Sequence, residues 1–389
     1  MPHPTPAKRK AIVVGLVSIT VGLIVLAVQR NTYFDSRVYH GAIVYWFRDG
    51  GMVYDFLRPG TPYGFTYPPF AGLVMSPMAV LPLLMVMVLA TIGTVITTCL
   101  LVHWLVGPYI ERKGWPTGFA YMIAFCLALA FEPVRETIAF GQVNTLLLAL
   151  VAGDMMLGLA KGRKWAGVGI GLATAIKLTP GVFIVYLLIT RRWRAAGTAI
   201  GTATGVTLLA GAIFPDESRE FWTSALWNTD RVGVLSIVSN QSERGALARL
   251  PIESIESQVW MAGVLLTVAV WAWRVARARE DVLGGLALTG LLSCLISPVT
   301  WIHHCVWLIP ALARCLTLFQ EHRSRFYLGA AGYLLMTSHV TWLWDKPPKP
   351  PLEFLGGNIY VWFSLALLVL TPLGIRRSSD AREPEKITA

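Results

Sequence analysis

Asp35 is the side chain in this sequence best suited to acid–base chemistry. It stands in FDSRVYHGA, seven residues beyond the apolar run Ala11–Val28, where a carboxylate meets a lipid–water boundary. A general base needs a carboxylate in a partly dry site within reach of a hydroxyl proton. The same aspartate could instead cap a helix beginning at Ser36; the two roles are compatible. Other residues suit an anion. Arg37 and Arg135 each offer a guanidinium fork that matches phosphate oxygens, although a salt bridge from Arg135 to Glu132 or Glu136 competes with that role. His303 and His304, in SPVTWIHHCVW, mark an expected helix start, where backbone N–H groups favour an anion. Adjacent helical histidines diverge by about 100° and no nearby carboxylate completes a ligand set, so no metal site is expected.

Polar uncharged groups complete the candidates. Gln142 and Asn144 in GQVN, and Asn240 and Gln241 in SNQSERGALARL, carry the amides that recognise sugar hydroxyls, and Trp301 can stack on a sugar face. Arg37, Tyr39 and Tyr67 belong to the same sugar- or acceptor-facing group, with Tyr67 in the stiff TYPPF connector.

The elements that must position these residues are membrane helices. Apolar residues form 55% of the chain and charged residues 14%, and apolar runs of about 18 residues recur along it. That makes an all-α polytopic membrane protein and excludes an outer-membrane barrel, whose strands alternate every second residue. The net charge of +11 comes in short basic clusters between spans, which argues for membrane topology and against nucleic-acid binding. The five cysteines form no CxxC pair, so neither a disulfide framework nor a zinc site is expected. Lys8–Lys10 followed by a long apolar run without a small-x-small site reads as an uncleaved anchor.

Alternating basic clusters then set the topology. Starting from a cytoplasmic N-terminus, spans are expected near Ala11–Val28, Leu81–Val106, Gly118–Phe131, Thr145–Leu159, Ala195–Phe214, Val259–Trp273, Val282–Ile296, Cys305–Leu318, Tyr327–Trp342 and Ile359–Leu373. Gly167–Ile189 begins and ends beside cytoplasmic clusters and is too short for two crossings. Two half-helices meeting near Lys177 and Pro180 are expected there, which would leave Lys177 as a charge in a cavity. The total is about 11–12 transmembrane or half-membrane helices. A single domain is expected over 1–376, with outer loops 33–70, 132–144, 215–257, 297–304 and 344–358 and a disordered cytoplasmic tail, 377–389.

Six stretches, FDSRVYHGA, FTYPPFAGLVMSP, EPVRETIAFGQVN, GVGIGLATAIKLTP, SNQSERGALARL and SPVTWIHHCVW, together resemble the polyprenol-phosphate-sugar-dependent glycosyltransferases of family 87. They run in order from Asp35 to about Pro310. The resemblance implies a GT-C fold and an inverting transfer without metal or other cofactor. It implies a polyprenyl phosphate-mannose donor, a glycolipid or lipoglycan acceptor, and a plasma-membrane enzyme working on its extracytoplasmic side. It matches Asp35 to the family's base. Ile302 stands where the family often has aspartate or asparagine, which shifts the donor phosphate toward His304, with His303, Arg135 and Lys177 as further candidates. A polyprenyl-phosphate-arabinose donor would need much the same residues. From a different class, the broken Gly167–Ile189 segment would also suit a transporter, but the ionisable residues gather in loops and no inverted repeat is visible.

Overall fold

The structure, a computed structural model, describes residues 4–228, 233–252, 254–318, 322–345 and 352–374. Among them the regular structure is helical, with isolated β-bridges only, Leu57–Gly64 and Asn240–Trp301. In chain order the helices are α1 (Pro6–Asn31), α2 (Phe34–Phe47), α3 (Pro69–Met75), α4 (Leu83–Lys113), α5 (Thr117–Ala130), α6 (Glu132–Phe140) and α7 (Asn144–Gly153). There follow α8 (Val168–Ile176), α9 (Val182–Ile189), α10 (Trp193–Ile213), α11 (Pro215–Glu220), α12 (Glu243–Leu247) and α13 (Glu256–Arg277). The last are α14 (Val282–Ile296), α15 (Ile309–Thr317), α16 (Arg323–Thr337), α17 (Leu352–Gly357) and α18 (Ile359–Leu370).

Four helices, α1, α4, α10 and α13, are long and apolar enough to cross a membrane, and α5 with α6 makes a fifth candidate bent by 63°. Shorter apolar helices cover Asn144–Leu159, Thr179–Ile189, Val282–Ile296 and Ile359–Leu370. The chain is therefore an all-α membrane protein in which apolar runs are often broken. Each break has a local cause. Phe131 is extended between α5 and α6, and Pro133 opens the new helix, where its missing N–H costs nothing. The end of α7 widens into a π-turn over Asp154–Leu159, and Asp154 receives N–H groups from Gly167 and Ile170 at 2.8 and 2.9 Å, which seats the start of α8. Between α8 and α9, Lys177 is extended at φ −148° ahead of Pro180, so the expected half-helix junction is present.

One expectation needs correction. Residues 132–144 are not a loop. Glu132–Ala139 are all buried within α6, because the chain turns at Phe131 and runs back into the protein, where its polar groups find partners. Residues 33–70 likewise contain the 14-residue helix α2. Residues 346–351 of the last expected loop, and the tail 377–389, lie outside the described residues.

Burial separates the helices by role. Only Thr20 and Ala27 of α1 are buried, which leaves an apolar surface suited to lipid. Every residue of α14 from Gly284 to Leu295 is buried. A helix that is apolar all round belongs at the centre of such a bundle, and α14 packs on α13, α15, α18 and the 3₁₀ turn Ile302–Leu308 that carries both histidines.

Candidate active site

The chain leaves α1 through two consecutive left-handed residues, Thr32 (φ 48°) and Tyr33 (φ 54°). Non-glycine residues adopt this conformation only where their surroundings hold it. Here the Thr32 N–H donates to the Val28 carbonyl at 2.8 Å, and the Tyr33 N–H to the Ala139 carbonyl at 2.8 Å. The turn starts α2 at Phe34, so Asp35 lies inside the first helical turn and makes no capping bond. Its carboxylate is turned toward α6. Ser36 Oγ donates to the Gly141 carbonyl at 3.2 Å. Gly141 closes α6 at φ +71°, and a Cβ there would overlap Ser36 Oγ, so both backbone conformation and space require glycine.

This close approach brings Gln142 against Asp35. Gln142 Nε2 donates to Asp35 Oδ2 at 2.6 Å and to Tyr39 Oη at 3.1 Å. Tyr67 Oη donates to Gln142 Oε1 at 2.8 Å, and Tyr39 Oη lies 3.4 Å from Tyr67 Oη. The other carboxylate oxygen, Oδ1, has no hydrogen-bond partner among the described residues. Burial pushes the Asp35 carboxyl up to about 6, against the opposing influence of the Gln142 hydrogen bond and the Lys177 and Arg58 charges. Asp35 is partly exposed, and the space it faces is a cavity.

The cavity has a volume of about 510 Å³, within the roughly 300–1,000 Å³ typical of small-molecule sites. Asp35, Tyr39, Tyr67 and Gln142 line one part of it, and Lys177, Thr179, Ser297, Trp301, His303 and His304 another. Lys177 Nζ lies 3.0 Å from His304 Nε2 and 3.4 Å from Asn144 Oδ1, and 5.4 Å from the Tyr67 ring centre. Asn144 Nδ2 donates to the His303 carbonyl at 3.0 Å, tying the start of α7 to the histidine turn. Burial and the Lys177 charge hold the His304 imidazole well below its ordinary value, hence neutral. Its Nδ1 accepts from the Trp301 N–H at 3.3 Å. His303 packs on Phe140 with ring centres 4.9 Å apart.

Not every residue singled out by type reaches this cavity. Arg37 is exposed and donates to the Thr32 carbonyl at 2.9 Å. Arg135 is buried, but its guanidinium is committed to the Ala130 and Thr337 carbonyls at 2.8 and 2.9 Å. Asn240 and Gln241 are buried and bonded mainly to backbone. Asn240 Oδ1 accepts from the Thr300 N–H at 2.9 Å, its Nδ2 donates to the Leu235 carbonyl at 3.0 Å, and Gln241 Nε2 donates to the Gly357 carbonyl at 2.7 Å. They brace the strand-like Pro298–Trp301 segment behind the cavity wall.

One residue that spacing did not single out does arrive, and another packs behind it. A turn closed by the Arg58 N–H on the Tyr63 carbonyl at 2.8 Å folds residues 57–64 back onto α2. Tyr63 then lines the cavity beside Phe34, and Arg58 stacks 4.3 Å above the Phe34 ring. The only sequence signal for this turn is the Pro59-Gly60 pair.

Elsewhere Glu132, Glu136 and His339 bring three possible ligand atoms within 4.8 Å of one another. Their partners are already supplied. Glu132 receives His339 Nδ1, Trp342 Nε1 at 2.9 Å and Tyr360 Oη at 2.6 Å, and Glu136 receives Asn31 Nδ2 at 2.6 Å. Arg30 reaches His339 Nε2 at 2.7 Å. The cluster fastens α1, α6 and α18 together.

The profile of glycosyltransferase family 87 matches residues 65–298, a range that contains Tyr67, Gln142, Asn144 and Lys177 and stops short of Asp35 and both histidines. The chain is 34% identical over 380 residues to the polyprenol-phosphate-mannose-dependent α-(1-2)-phosphatidylinositol mannoside mannosyltransferase of Mycobacterium tuberculosis (strain H37Rv), covering 89% of this chain and 82% of the relative. It is 31% identical to the protein of the same description from Mycolicibacterium smegmatis, covering 92% and 83%. It is also 31% identical to a polyprenol-phosphate-mannose-dependent α-(1-2)-phosphatidylinositol pentamannoside mannosyltransferase of Mycobacterium tuberculosis (strain CDC 1551 / Oshkosh), covering 94% and 86%. With the profile spanning more than half of the chain and these relatives nearly all of it, the protein belongs to glycosyltransferase family 87 and is a glycosyltransferase.

Proposed function

We propose that the protein transfers a mannosyl residue from polyprenyl phosphate-mannose to a mannose hydroxyl of a glycolipid or lipoglycan acceptor, with inversion and with Asp35 as the general base. The observation that carries this reading is one cavity holding both halves of the chemistry. It has a carboxylate with one oxygen fixed and the other free, and it has a lysine braced by His304 and Asn144. The names of the relatives supply the donor and the class of acceptor.

In this reading the donor enters laterally from the membrane, and its phosphate is held by Lys177 with His304. Asp35 Oδ1 takes the acceptor hydroxyl proton while that oxygen bonds to the anomeric carbon. The bond from the anomeric carbon to the phosphate oxygen breaks on the opposite face, and its electron pair leaves with the polyprenyl phosphate. The phosphate gains negative charge as it departs, so Lys177 interacts more strongly with the transition state than with the bound donor. One displacement with one carboxylate inverts the anomeric centre, unlike the double displacement of paired-carboxylate retention. Lys177 supplies the counter-charge, so the scheme uses neither metal nor cofactor. The proposal also takes the fold as GT-C, with one catalytic domain over 1–376, cytoplasmic termini and the cavity opening on the extracytoplasmic side of the plasma membrane.

The test is transfer of radiolabel from polyprenyl phosphate-mannose to a lipid-acceptor mixture by the purified protein in nanodiscs. Wild type is expected to label a new lipid or glycan band, and Asp35→Asn to lose turnover by a factor on the order of 10² or more. Near-normal turnover in the folded Asp35→Asn protein removes Asp35 as the base. Transfer from the corresponding arabinose donor alone refutes the mannose assignment.

A further inference from the structure

Gln142, Tyr39 and Tyr67 line the cavity, yet their polar atoms already face one another. Resting on the reading of Asp35 as base, we infer that Gln142 is a positioning residue: the two tyrosines lock its amide in one orientation, and it holds Asp35 with Oδ2 fixed and Oδ1 presented to the acceptor hydroxyl.

The hydrogen-bond directions leave little freedom. Tyr67 Oη donates to Gln142 Oε1 at 2.8 Å, so the carbonyl end of the amide faces Tyr67 and the NH₂ end faces the other way. Nε2 has two hydrogens and two acceptors, Asp35 Oδ2 at 2.6 Å and Tyr39 Oη at 3.1 Å. The Tyr39 hydroxyl is then free to donate to Tyr67 Oη, 3.4 Å away. The three groups make a closed ring, and the one hydrogen bond leading out of it ends on Asp35. Reversing the amide would point Oε1 at the carboxylate, acceptor against acceptor, and would require both tyrosine hydroxyls to turn. Gln142 is 5% exposed and Tyr67 is 3% exposed, so water has little room to replace any member. In such a setting hydrogen bonds reinforce one another and unpaired groups are costly.

The backbone places the amide as firmly as the ring orients it. Gln142 follows Gly141, whose carbonyl accepts from Ser36, the neighbour of Asp35. Charged neighbours are few. Arg58 and Lys177 favour the ionised carboxylate, and Tyr39 and Tyr67 are neutral phenols. From α6, Glu136 turns to Asn31 and Arg135 to the Ala130 and Thr337 carbonyls. The histidines lie beside Lys177. The charge-assisted bond from Gln142 is therefore the contact that orients Asp35, and it lowers the proton affinity that burial raises.

The experiment records mannosyl transfer against pH for wild type, Asp35→Asn, Gln142→Met, Gln142→Glu and Tyr67→Phe, with kcat and acceptor KM separated. Folding is checked by size-exclusion elution. Both Gln142 variants are expected to lose turnover and to move the acidic limb of the profile upward by about one to two pH units, the effect of removing one charge-assisted hydrogen bond. In Gln142→Glu the two carboxyls share a proton, which drives the limb the same way. Tyr67→Phe removes only the hydroxyl that orients the amide and should shift the limb in the same direction by less. Unmoved limbs in Tyr67→Phe and in every folded Gln142 variant overturn the inference, and a rise in acceptor KM alone reassigns Gln142 to acceptor binding. Retained turnover in Asp35→Asn overturns the base assignment itself, which is a separate outcome.

Discussion

Replacing Lys177 by methionine tests the phosphate half of the site. Methionine keeps much of the length and removes the charge, and the side chain is surrounded by groups that depend on that charge. The ammonium lies 3.0 Å from His304 Nε2 and 3.4 Å from Asn144 Oδ1. A donor phosphodiester carries one negative charge, and the departing phosphomonoester approaches two, so the ammonium gains most as the bond breaks. Removing one preorganised donor aimed at developing charge costs about 2.7–4 kcal/mol, or about 10² to 10³ in kcat. Donor KM should rise far less, because only part of the attraction exists in the ground state. The assay is initial-rate transfer from radiolabelled polyprenyl phosphate-mannose, with donor concentration varied well above KM. A Lys177→Met enzyme with kcat within threefold of wild type would falsify the assignment. An increase confined to donor KM would reduce Lys177 to ground-state binding.

Three further outcomes follow from the geometry. Wild-type transfer should fall as pH drops through about 6, because the base works only when ionised and Asp35 is held near that value; a rate constant through this range, measured as initial velocity, contradicts it. Gly141→Ala should destabilise the protein by about 2 kcal/mol or more and lower activity, since the new methyl meets Ser36 Oγ at a left-handed position; thermal melting in detergent reads the first effect and transfer the second. Asn240→Ala strips the buried Thr300 N–H of its acceptor and should cost about 1–3 kcal/mol. The melting midpoint should drop while KM in the surviving folded fraction stays near wild type, unlike the loss of a residue that touches substrate.

Much of the architecture was legible because it depends on local properties. An apolar run is visible wherever it occurs, and each of the ten expected spans contains a helix among the described residues, although only α1, α4, α10 and α13, with the bent α5–α6 pair, are long and apolar enough to cross a membrane. The break at Lys177 could be read from Pro180 and from the basic clusters at both ends of its segment. Asp35 stood out because it is a lone carboxylate just past a span. The cap role that competed with base was settled against by two residues, since α2 begins at Phe34. Hydropathy failed at 132–144, where polar residues suggested solvent. Those side chains are paired inside the protein instead, Glu132 with His339, Trp342 and Tyr360.

Side-chain roles were the part that sequence could not rank. Arg37, Arg135, Asn240 and Gln142 are equally polar as letters. The first three bond to backbone outside the cavity lining and the fourth grips the carboxylate. Composition and hydropathy thus determined that this is a helical membrane protein and where its apolar helices lie and break, because transfer into lipid depends on each segment by itself. Only the tertiary structure decided which groups act together. The Gln142–Asp35 bond joins residues 107 apart and the Lys177–His304 bond residues 127 apart. A hydrogen bond is fixed within a few tenths of an ångström by the packing of separate helices, and no local pattern in the sequence encodes that approach.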